Sequence, residues 1–229
     1  MTEPDLTATS RRERYGLLLV AVILAFLIQG IATPETWEQL SVSVLLCITL
    51  LLALRVAEAK AAVFAVAAVL VTAVIVASIV EAINGNVDGG ATRVANALLV
   101  ALAPPAIIVG VVRTLRAKQA VTMEAVFGVL CVYLLIGMFF AAVYGAINQY
   151  AGGTFFAGGQ AATVANCLYF SFTTLTTVGY GDFTASSHLG HTLSVSEALI
   201  GQIYLVTVVS LIVANLGRSR PIERARQEP

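Results

Sequence analysis

The chain has 229 residues, of which 59% are apolar and only 11% charged, where an ordinary soluble domain carries about 25% charged residues. Its mean hydropathy is +0.90, and 13 basic residues balance 13 acidic ones. That composition excludes a disordered chain, a nucleic-acid binder and a water-soluble enzyme. The charges gather in short clusters and leave charge-free runs at 15–34, 39–54, 61–80, 94–112, 125–181 and 198–217. Most of these runs approach the roughly 20 residues a helix needs to cross about 30 Å of hydrocarbon. The pattern is that of an all-α polytopic membrane protein.

Residues 1–14 read as a cytoplasmic tail in which Arg11, Arg12 and Arg14 precede the first apolar run. A secretory leader begins in a similar way, but this run is long and no A-x-A site follows, so an uncleaved first span is expected over 15–31. A polar loop, Thr33-Pro34-Glu35-Thr36-Trp37-Glu38, leads to a second span at 40–56, where Arg55 can snorkel from the end. Residues 57–60 make a tight connection to a third span at 61–83. Asn84 to Gly90 reads as a turn on composition. The fourth span, 94–112, carries Pro104-Pro105 and is expected to kink there. Residues 113–124 form a short, basic, mildly amphipathic linker suited to an interfacial helix. A fifth span at 125–147 and a long last helix at about 189–216 precede a charged tail, 217–229, expected to carry no folded ligand-binding domain. Cys47, Cys131 and Cys167 lie inside apolar runs without C-x-x-C spacing and read as packing residues.

Six spans place both termini on one side. On that count 12 of the 13 Lys and Arg residues share a face and only Arg93 lies opposite. The positive-inside rule makes the shared face cytoplasmic. The four spans over 15–112 then form a scaffold, and 125–216 a separate pore domain.

Residues 148–188 do not fit a span. A glycine-rich stretch, Gly152-Gly153 through Gly158-Gly159, precedes an apolar, aromatic helix expected over 163–174. Twelve helical residues reach only about 18 Å. With both flanking spans ending outside, this segment must enter from outside and return, which membrane-depth backbone tolerates only where protein buries it or it lines a watery cavity. Thr176, Thr177, Val178, Gly179, Tyr180, Gly181 and Asp182 follow. Alternating glycines allow left-handed dihedrals, so successive carbonyls can face one axis and replace the water shell of a cation. The Thr177 hydroxyl adds an oxygen at the inner end. Asp182 places a carboxylate at the outer mouth, raising the local cation concentration. The short helix aims its negative C-terminal end at the membrane centre.

Residues 177–181 read TVGYG, and 173–182 read TTLTTVGYGD between two spans and behind a short helix. This resembles the selectivity filter of the potassium-channel family with a single pore loop per chain, over about 90 residues from Glu124 to Leu216. The resemblance implies six helices with a re-entrant pore helix and filter between the fifth and sixth. It further implies K⁺ held by the filter carbonyls and the Thr177 hydroxyl, and a homotetramer, since one loop supplies a quarter of a filter. It implies a multi-pass plasma-membrane channel that is not an enzyme and needs no cofactor beyond permeant K⁺, with the lipid bilayer its surroundings and no nucleic acid or soluble ligand domain. By position in the pattern, Tyr169 and Phe170 stand where the family places an aromatic cuff bracing the filter; plain apolar packing is the alternative. Thr173 stands where some members carry a glutamate, so inactivation behaviour does not carry over. Gly201, 20 residues after Gly181, matches the hinge glycine of the inner helix or allows close helix packing.

Glu197 is an intramembrane carboxylate expected to bond the pore helix or water behind the filter. His188 and His191 read as solvated outer residues, with proton sensing as the alternative. The six-span order resembles the voltage-gated branch, but the fourth span contains no Arg or Lys between Arg93 and Arg113. Two other readings stay open: a weakly selective cation pore, and a regulatory subunit co-assembling with another channel.

Overall fold

The computed structural model describes residues 3–31, 36–56, 59–83, 98–109, 123–150 and 154–216. The helices are α1 (Glu3–Ile31), α2 (Thr36–Val56) and α3 (Ala61–Ile83), then α4 (Leu98–Val109). They continue with α5 (Met123–Tyr150), a 3₁₀ turn (Ala157–Gly159), α6 (Val164–Leu175) and α7 (His188–Leu216). Valine and isoleucine fill α3, residues that in water favour strands. In hydrocarbon only a helix satisfies each backbone N–H and C=O within its own segment, and that requirement wins.

Among the described residues, Glu13–Ile31, Ala61–Val80 and Ala125–Tyr150 are long and apolar enough to cross a membrane. Ser43–Arg55, Leu98–Val109 and Val164–Leu175 are shorter apolar helices. The 29 residues of α7 give it a length of about 44 Å. α1 begins well ahead of the expected span, because Leu, Ala, Arg and Glu in residues 3–14 are strong helix formers and Pro4 falls in the first turn, where it is tolerated. α4 remains helical on both sides of Pro104-Pro105 although the pair removes two backbone donors. The expected turn at 84–90, Arg93, most of the linker 113–124 and the tail 217–229 lie outside the described residues.

α1 packs on α2, α5 and α6, and α2 packs on α3. α6 is held between α5 and α7, which also touch each other. Leu18, Val22 and Ala25 of α1 are buried, as are Leu46 and Leu50 of α2 and Leu135 and Met138 of α5. Lipid tails are as apolar as these side chains, so close van der Waals fit holds the helices together. Phe26 of α1 meets Phe172 of α6 with ring centroids 4.7 Å apart. All three cysteines are buried and none is in a disulfide among the described residues, as packing residues should be.

Candidate functional site

Thr163 starts α6 as its N-cap, its hydroxyl accepting from the Asn166 N–H at 3.1 Å. This satisfies one of the otherwise unpaired first-turn donors. Thr176 closes the other end, its Oγ1 donating to the Phe172 carbonyl at 2.6 Å and its N–H to the same oxygen at 3.0 Å. The last turn then reaches into the loop beyond. The Thr177 N–H donates to Thr174 O at 2.9 Å, and the Gly179 N–H to Thr173 O at 3.1 Å.

Along that loop the backbone alternates in hand. Thr177, Gly179 and Gly181 have φ of 59°, 50° and 82°, whereas Val178 and Tyr180 stay at negative φ. Nothing lies within 4 Å of a Cβ built on Gly179 or Gly181, so it is the dihedral and not crowding that requires glycine there. Thr177 is the one non-glycine residue at positive φ among the described residues, a conformation costing about 1–2 kcal/mol. Alternation of this kind lets successive carbonyls turn toward one side. Residues 177–182 are exposed in the single chain, Val178 at 51% and Tyr180 at 72%.

The glycine-rich stretch is tied down from residue 154 onward. Phe156 forms an isolated antiparallel bridge with Ala185. The Ala157 N–H donates to Thr184 O and the Ser186 N–H to Phe155 O, both at 2.8 Å. Gly158 and Gly159, at φ 77° and 74°, turn the chain. Gln160 Nε2 donates to Asp182 O at 3.1 Å, and Asp182 Oδ1 accepts from the Phe183 N–H at 3.1 Å. The expected aromatic pair divides. Tyr169 stacks on Tyr180, with centroids 6.3 Å apart and planes 8° apart. The Asp182 carboxylate, as hydrogen-bond acceptor, holds the Tyr169 hydroxyl above the usual tyrosine range. Phe170 is buried among Tyr144, Phe155 and Phe156.

Behind α6, Glu197 is wholly buried. Its Oε2 accepts from the Tyr144 hydroxyl at 2.6 Å, and its Oε1 lies against the Ser171 hydroxyl, which is also 2.6 Å from Gly137 O. One carboxyl group therefore joins α5, α6 and α7, with the pore helix as its expected partner. Thr173 sends its hydroxyl back to Phe170 O at 3.0 Å, leaving its carbonyl for Gly179. Gly201 is buried where α7 meets the end of α6: a Cβ there would lie 2.5 Å from Leu175 O and 2.8 Å from Leu175 Cδ1. This geometry supports the close-packing reading of Gly201, and α7 is helical through it. One residue further on, Gln202 Nε2 donates to Thr177 Oγ1 at 3.1 Å. His188 and His191 belong to the first turn of α7 rather than a loop, and His191 Nε2 donates to Ala185 O at 2.8 Å.

Sequence reasoning missed Gly137, Tyr144, Ser171 and Gln202. Polar side chains within apolar helices were the available signal for three of them. Gly137 gives room to Phe172, whose ring would stand 2.7 Å from an added Cβ.

A family model described as an ion channel matches residues 129–218, which take in most of α5, all of α6, the alternating loop and α7. The match covers less than half of the chain and leaves α1–α4 outside it. No curated protein and no solved structure matches the chain.

Proposed function

We propose that this chain is a potassium-selective channel of the plasma membrane, a homotetramer conducting K⁺ passively through residues 177–181, with six spans, cytoplasmic termini and no voltage sensor. The ion-channel match over 129–218 supports the class. The observation that carries the selectivity is the alternation of hand at Thr177, Gly179 and Gly181, because a row of carbonyls facing one axis substitutes for the hydration shell of a bare cation. Four copies of the exposed Val178 and Tyr180 backbone close that row into rings. Asp182 at its outer end draws cations in. A purely regulatory subunit has no need to hold Thr177 in a strained conformation.

Flux through the purified protein in liposomes, under K⁺ and Na⁺ gradients, tests the proposal. K⁺ and Rb⁺ should pass and Na⁺ should be excluded. Gly179→Ala adds a Cβ at φ 50°, a strain of about 1–2 kcal/mol in each chain, and should abolish flux or its selectivity while the protein still inserts. Equal Na⁺ and K⁺ flux in the unmodified protein, or unchanged selectivity in Gly179→Ala, would overturn it.

A further inference from the structure

Gln202 stands out in α7 because its side chain leaves the helix to bond the alternating loop. The residue before it, Gly201, lets the α7 backbone touch Leu175 at the end of α6. That contact brings Gln202 Nε2 within 3.1 Å of Thr177 Oγ1. Thr177 is also the loop's strained non-glycine residue, with φ of 59°, and strain of this kind persists only where the surroundings over-determine it. Two bonds do so here: Thr177 N–H to Thr174 O at 2.9 Å, and the amide of Gln202 on the hydroxyl.

A threonine hydroxyl has one proton and two lone pairs. With the Gln202 amide donating into one lone pair, the hydroxyl rotor is fixed, and the second lone pair is left for a cation. Without that donor the hydroxyl can turn its own proton toward the axis, where it repels a cation.

Resting on the pore reading above, we propose that Gln202 is the positioning residue of the innermost cation site, holding the Thr177 hydroxyl oxygen toward the permeant ion. Gln202 acts through Thr177 and does not itself coordinate the ion. A polar side chain that merely faces a wet cavity would have no such dependence.

Block of K⁺ current by Ba²⁺ from the inner side of a planar bilayer reads this site, since Ba²⁺ is a dication close to K⁺ in size. Gln202→Met keeps the length and removes the donor. It should weaken Ba²⁺ block about three- to tenfold, the worth of one net hydrogen bond, while K⁺ current persists. Gln202→Asn keeps a polar amide too short to reach and should behave like Gln202→Met. In a Thr177→Val background, Gln202→Met should add nothing, because the group it acts through is gone. Unchanged block in Gln202→Met, wild-type block in Gln202→Asn, or an equal effect in the Thr177→Val background would each overturn the assignment. Where Thr177→Val carries no current, the two Gln202 variants decide. Absence of K⁺ current in the unmodified protein is a different result, overturning the pore reading itself.

Discussion

Glu197 is the residue whose surroundings are most demanding. It is fully buried, and so are Tyr144 and Ser171, which bond its two oxygens. A carboxyl group at this depth is retained only where every oxygen is satisfied. Glu197→Gln keeps an oxygen for Tyr144 and supplies an N–H to Ser171, whose own proton can then serve Gly137 O. Glu197→Leu removes the carboxylate that accepts from the Tyr144 hydroxyl and should cost about 1–3 kcal/mol. Thermal dissociation of the detergent-solubilised assembly should therefore leave Glu197→Gln close to wild type and lower the midpoint for Glu197→Leu. Equal midpoints for the two variants would remove the clamp.

At the scale of elements, the short helix was legible almost to the residue, expected at 163–174 and found as Val164–Leu175. Its length and apolar content, together with the threonine before it, are local properties. The strap over 154–163 was not legible, because its order comes from bonds to residues 184–186, on the far side of the loop. The same holds for Gln202, whose partner lies 25 positions away. The left-handed Thr177 was hidden behind the glycines, where the freedom was expected. In α4, Leu98–Val109 contains no charged residue. Moving one charge through the membrane is worth about 2.3 kcal/mol per 100 mV, and steep gating needs about 3–4 charges per subunit. Single-channel recording across about ±100 mV should show at most a shallow change of open probability. A steep, saturating rise with measurable gating current would show that charge moves in this scaffold after all.

For the whole molecule, the alternating loop leaves Val178 and Tyr180 uncovered in one chain, beside an equally uncovered row on α7: Val195, Leu199, Ile203 and Val206. A loop of this kind surrounds an ion only when repeated about an axis. Native mass measurement in detergent should give four chains, whereas a stable dimer would leave the carbonyl row unable to close. Within one chain α1 is no appendage, since it packs directly on α5 and α6 and places Phe26 against Phe172.

That last contact sets a timetable for biosynthesis. α1 leaves the ribosome before α5 and α6, two of the helices that cover it, which come more than ninety residues later in the sequence, with α6 ending at Leu175. At about 5–20 residues per second the interval is on the order of ten seconds. Throughout that time Phe26 lacks Phe172, the ring it meets in the finished fold. α1 is thus made well before two of its three final neighbours, and a ribosome stalled before α5 would release a chain in which α1 still waits for α5 and α6.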